Sequence, residues 1–190
     1  MEYNNILQIN CRSKFREWLN KYSGHESECW IHLKRGKPTD DLHFWYIDAV
    51  EEALCFGWID STNSIINGKR MQRFTPRRKN SRWTELNKER VRRLEKLGMM
   101  TDRGRVVLPN MDENNFHIDP EIEYDLKQAG VWLKFKSFPS LYQRVKAYNI
   151  AFYKNRNLKI YNRMLNHLIE ETRNGCMFGE WNDYGRLLNY

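Results

Sequence analysis

An α+β fold is predicted for this sequence. It is predominantly helical, with a small antiparallel sheet of about three strands in the N-terminal half and a helical C-terminal half. Three observations carry the prediction. Asn67-Gly68 separates two runs of strand formers, Trp58 to Ile66 and Lys69 to Thr75, the strongest short-range hairpin signal a sequence offers. Cys29-Trp-Ile-His-Leu33 is a short apolar run bounded by turn residues around Gly36-Lys-Pro38, and it supplies a third strand. Most of the remaining chain repeats apolar residues at helical spacing.

The elements follow in order. Phe15, Trp18, Leu19 and Tyr22 stand at i, i+3, i+4 and i+7 and define a helix over residues 11–22, ended by Ser23-Gly24. Asp40-Asp41 is read as the cap of the next helix, which carries Phe44, Ile47, Val50 and Leu54 as far as Cys55 before Gly57 breaks it. After the hairpin and Pro76, Ser81 is read as the N-cap of a helix bearing Trp83, Leu86, Leu94 and Leu97, closed by Gly98. Residues 99–115 lack periodicity and read as a linker. Asp119-Pro120 opens a helix that stops at Gly130. Helical pieces follow over 131–138, from Pro139-Ser140 to Phe152, and over 158–174 before Gly175. The tail from Gly179 to Tyr190 is too aromatic for a free end and is expected to dock on the core. Two parts are expected, or one compact domain comprising both: 1–110, an α+β part with a basic turn leading into a helix, and 111–190, a helical part packed on it.

Composition narrows the function. At 190 residues, with 41 % hydrophobic and 14 % aromatic residues, the chain is long enough to bury a core. Its formal charge of +8 favours anionic partners. Cys11, Cys29, Cys55 and Cys176 show no C-x-x-C pairing and make no zinc pattern with the histidines, so no metal or cofactor is expected. Met1-Glu2-Tyr3-Asn4-Asn5 has no charged n-region leading into an apolar stretch, and no apolar run is long enough to cross a membrane. A cytoplasmic chain with reduced thiols is the expectation.

The candidate site lies after the hairpin. Arg77, Arg78, Lys79 and Arg82 crowd the expected start of a helix, where the backbone already carries about half a positive charge. Cations there call for an anion from outside, which unpaired helix-start amides also favour. Arg77 and Arg78 offer planar forks for phosphate or carboxylate. Arg73 and Thr75 alternate along the strand onto the side of Arg77, and Asn87 and Arg90 follow Trp83 on one helical stripe. Arg73, Thr75, Arg77, Lys79, Ser81, Asn87 and Arg90 are therefore read as ligand-binding, with Trp58 and Trp83 as pocket walls. Asp60 has two readings: a structural ion-pair partner for the arginines, or a general base beside the anion. Cys55, on an apolar helix end, reads as an inert buried thiol.

Phe15-Arg-Glu-Trp-Leu19, Trp30-Ile-His-Leu33, Ala53-Leu-Cys-Phe-Gly-Trp-Ile-Asp-Ser61, Arg73-Phe-Thr-Pro-Arg77, Ser81-Arg-Trp83 and Asn87 together resemble the YdeI/OmpD-associated family of bacteriocin-protection proteins. The family's C-terminal Thr-Arg-x-Arg-Arg-Ile-like run has no counterpart in Asn155 to Ile160. The resemblance implies a link to stress survival and antimicrobial-peptide resistance, without a reaction. The leading expectation is an anion pocket for a small phosphorylated or carboxylated ligand. The alternative is nucleic-acid binding through Arg70, Arg73, Arg77, Arg78, Lys79, Arg82, Arg92 and Arg93, although no helix-turn-helix or RNA-recognition signature accompanies them. Direct capture of cationic peptides is disfavoured by charge, unless Asp40, Asp41, Asp48, Glu51 and Glu52 form a local acidic patch.

Overall fold

The computed structural model describes residues 3–190, so Met1 and Glu2 of the N-terminal pentapeptide read above lie outside the described residues. The chain splits into two compact units, one running to Arg82 and again from Arg90 to Pro109, the other holding Trp83–Glu89 and Asn110–Tyr190. The second division falls next to the boundary expected at residue 110. That Trp83–Glu89 groups with the C-terminal part was not expected.

The first unit carries β1 (Ile6–Leu7), α1 (Arg12–Tyr22), β2 (Cys29–His32), α2 (Tyr46–Cys55), β3 (Trp58–Ile66) and β4 (Lys69–Pro76). The strands form one sheet in the order β1-β2-β4-β3. Of the three expected strands, β4 pairs antiparallel with both β2 and β3, with Trp30 opposite Arg73 and Ile66 opposite Lys69. The sheet differs from the expectation in having a fourth strand, β1, which pairs parallel to β2 and makes the sheet mixed. Two residues are too few to show alternation, and their pairing is set by a partner far along the chain. Asn67 and Gly68 both take positive φ, 50° and 74°, the left-handed pair that a two-residue turn matching strand twist requires. A bulge between Asp60 and Asn63 shifts the β3–β4 register.

Helix α1 packs on one face of this sheet through an aromatic cluster that Phe44, just before α2, joins. Phe15 meets Phe44 at 5.9 Å and Phe74 at 5.4 Å, and Trp18 meets Trp58 edge-on at 5.6 Å between ring centroids. Helix α2 starts at Tyr46, later than the Asp40-Asp41 cap implied. The Asp40 carboxylate instead accepts from the amides of Leu42 and His43, which holds a turn ahead of the helix.

The next helix, α3 (Glu85–Lys96), ends at Gly98 as expected. Its start differs: Thr84, not Ser81, accepts the Asn87 amide and acts as the cap. Residues 99–115, read as a linker, contain α4 (Asp102–Val106). Thr101 caps it and donates to the Cys55 carbonyl at 2.6 Å. A Cβ on Gly104 would stand 2.3 Å from that same carbonyl oxygen, so only glycine permits α4 to lie against the end of α2.

The second unit contains α5 (Pro120–Gln128), α6 (Trp132–Lys136), α7 (Ser140–Ala151) and α8 (Leu158–Asn174). Asp119 caps α5 with Pro120 in its first turn, and Gly175 ends α8 in the left-handed conformation. Ile122, Leu126, Phe135, Tyr142, Leu165 and Leu168 form the core, and Trp181 and Leu187 of the tail are buried in it. The aromatic tail docks, as its composition implied.

Candidate functional site

The basic turn is built differently from the arrangement that the sequence suggested. Because α3 begins at Glu85, the cations from Arg77 to Arg82 precede the helix rather than occupying its first turn, which holds an acid. The helix-start argument for an external anion therefore does not apply to them. Arg73 is engaged by Glu28, with its Nε 2.6 Å from the carboxylate, and its guanidinium lies over the Trp30 ring. Arg77 is buried, its amide bonded to the Gly57 carbonyl and its guanidinium donating to Ser81 Oγ and the Arg82 carbonyl. Ser81 thus serves the turn from within. Arg78, Lys79 and Arg82 are exposed.

The remaining expected members are spread over both units. Trp58 is 1 % exposed, donates its indole N–H to the Ser23 carbonyl and belongs to the core rather than to a pocket wall. Thr75 pairs with Ile59 inside the sheet. Arg90 belongs to the first unit, whereas Trp83 and Asn87, both buried, belong to the second.

Asp60 accepts a 2.5 Å hydrogen bond from the Tyr46 hydroxyl, which ties the start of α2 to β3. Burial, followed by the Asp60 charge, pushes the Tyr46 phenol far above its ordinary range, so it stays a donor at neutral pH. The Arg35 guanidinium stacks on the Tyr46 ring at 4.3 Å and donates to Gln72, whose amide answers the carbonyls of Ser61, Thr62 and Arg73 across the bulge. The structural partner of Asp60 is therefore a phenol. This cluster satisfies the carbonyls that the bulge frees from the ladder.

The carboxylates of α2 form no acidic surface. Glu51 and Glu52 are 0 % and 1 % exposed. Arg12 bridges both, Arg16 binds Glu52 at 2.7 Å, and Arg93 binds Glu51 at 2.8 Å. The sequence held a signal for this network: three acids, Asp48, Glu51 and Glu52, in a helix otherwise apolar but for Tyr46, facing arginines spaced i, i+4 on α1. Cys55, next along α2, is buried as expected. Burial and then Glu52 push its thiol up to about 12 against the opposing pull of Arg16, which leaves it unreactive.

A cleft of about 790 Å³ opens where the hairpin end of the sheet meets β1, the segment after β2 and the turn before α2. Among the described residues every ionisable side chain on its wall is basic: Lys14, Lys34, Lys69, His32 and His43. Its floor is apolar, with Ile6, Leu7, Leu33, Phe44 and Met71. The Lys34 ammonium sits 5.3 Å from the Trp45 ring, and His32 Nδ1 is 3.0 Å from the Arg70 carbonyl, to which it donates. None of the residues expected in the ligand site lines this cleft. Its cations come one at a time from separate elements, so no linear run announces them.

The site thus belongs to an α+β unit with a one-sign, partly apolar cleft at a sheet end. A family described as Domain of unknown function (DUF8412) matches residues 7–107, more than half of the 190 residues, and the chain belongs to that family. The match covers most of the unit that carries the cleft. No curated protein and no solved structure matches the chain. Among the described residues no helix is long and apolar enough to cross a membrane, and no group of three or more His, Cys, Asp or Glu is placed to hold a metal ion.

Proposed function

We propose that this chain is an anion-binding protein whose ligand, a small phosphorylated or carboxylated molecule, docks in the cleft of the first unit. The observation that carries the reading is the charge of the wall: three lysines and two histidines face one volume, and among the described residues no acid lines it, Asp40 beside it being bonded to the His43 ring. A cleft lined by one sign of charge focuses its field and concentrates counter-ions. The reading keeps the ligand class expected from the sequence and moves its place, because Arg73 and Arg77 are already engaged inside the protein. The likeness to YdeI/OmpD-associated proteins supports a part in stress or antimicrobial-peptide resistance. With a net charge of +8 and the α2 acids matched internally, that part would be indirect rather than capture of cationic peptides.

Calorimetric titration with phenyl phosphate and benzoate tests the proposal. Charge-assisted hydrogen bonds contribute roughly 1.5–3 kcal/mol each. Lys34→Ala/Lys69→Ala is therefore expected to weaken binding by at least about tenfold, while Arg78→Ala/Lys79→Ala leaves it unchanged. No binding heat in the wild type, or a loss confined to the second pair, would count against the cleft. A nucleic-acid reading draws on the exposed Arg70, Arg78, Lys79 and Arg82. It is distinguished by a log–log salt slope of about −0.9 per phosphate neutralised, far steeper than two or three ionic contacts produce.

A further inference from the structure

We infer, resting on the anion-binding reading, that the cleft ligand is an amphiphile: a monomeric carboxylate or phosphate carrying a hydrocarbon chain, rather than a wholly hydrophilic anion. Eight of the sixteen lining residues are apolar, five are basic and three are amides. A hydrophilic anion would satisfy the ammonium groups and leave the larger apolar share of the wall in water. Phe44 is the one Phe, Tyr or Trp on the wall, so the cleft lacks the pair of faces that would sandwich a nucleobase.

Leu42 adds a second, independent sign. The residue is 87 % exposed, and it lines the cleft. A single exposed leucine is ordinary, but this one does not sit on a fraying loop. Asp40 Oδ1 accepts the amides of Leu42 and His43 at 3.1 Å each and the His43 ring nitrogen at 2.7 Å. Three hydrogen bonds to one carboxylate oxygen thus hold an apolar side chain at the lip of a basic cleft, beside Phe44 of the floor. A hydrocarbon chain entering past the lysines covers Leu42, and the head group stays with Lys34, Lys69 and Lys14.

The test is the affinity of the intact chain for butanoate, hexanoate, octanoate and decanoate below their micelle concentrations, with inorganic phosphate alongside. Affinity is expected to rise about fourfold per added methylene until the cleft is filled. Leu42→Ser should weaken octanoate at least threefold and leave phosphate unchanged, whereas Lys34→Ala/Lys69→Ala should weaken the whole series. All three side chains are exposed, so these variants keep the fold. If phosphate and butanoate bind through the lysines but affinity does not depend on chain length, the amphiphile is overturned and the anion-binding reading stands. If neither acids nor phosphate bind, both fall. Capture by anionic phosphatidylglycerol vesicles with no affinity for the monomeric acids would also overturn a soluble amphiphile.

Discussion

Replacing Glu52 with alanine is expected to lower the unfolding free energy of the first unit by about 3 kcal/mol. The carboxylate is 1 % exposed and holds Arg12 Nε at 2.5 Å and Arg16 at 2.7 Å, so its loss opens a cavity and leaves Arg16 with the Met99 carbonyl in place of a counter-charge. Breaking a buried pair from one side costs roughly 3–5 kcal/mol. The lower figure applies because the arginine side chains are 32 % and 35 % exposed and can turn towards water. Arg12 also keeps Glu51. Urea unfolding followed by tryptophan fluorescence measures the shift, and a loss below about 1 kcal/mol would show that the network adds little. Replacing all the charged members by apolar side chains of similar volume should cost far less than the single change, because the penalty lies in the unmatched charges.

Arg144→Met in the second unit is expected to cost more, about 4–5 kcal/mol. The Arg144 side chain is 6 % exposed and stands among Glu85, Glu89 and Glu113. Glu85 and Glu89 are 2 % and 9 % exposed and lie four residues apart on the first turns of α3, where like charges repel. Without the guanidinium, two nearly buried carboxylates face each other; Tyr190, donating to Glu89 at 2.8 Å, and Lys88, 2.8 Å from Glu85, still answer them in part. Neutralising the acids in the same background, with Glu85→Gln/Glu89→Gln, should recover a large part of the loss. Equal destabilisation with and without those changes would mean that Arg144 contributes packing rather than charge.

The division between what could and could not be read from the sequence follows the range of the interaction. The hairpin was legible because Asn67 and Gly68 are adjacent and adopt positive φ by their own chemistry. The Asp119-Pro120 start and the Gly98 and Gly175 stops are equally local. Strand β1 was not legible, since Ile6 and Leu7 become a strand only beside Trp30 and Ile31. Helix α4 was hidden for a similar reason: it contains Gly104, a poor helix former kept by its approach to Cys55. The candidate site shows the same contrast. The cations from Arg77 to Arg82 formed a visible run, yet the place of Arg77 is set by the distant Gly57 carbonyl, whereas the Thr84 cap is a local signal that competed with Ser81. Lys14, Lys34 and Lys69 are unremarkable in the sequence and become one wall only when the sheet is assembled.

The most direct measurement is a backbone-amide NMR titration of the isotope-labelled chain with octanoate. The expected result is saturable shifts at Leu7, His32, Lys34, Leu42 and Lys69, with Arg78, Lys79 and Arg82 unmoved. Saturable shifts centred on residues 77–82, with the cleft amides unchanged, would contradict the assignment of the anion site to the cleft.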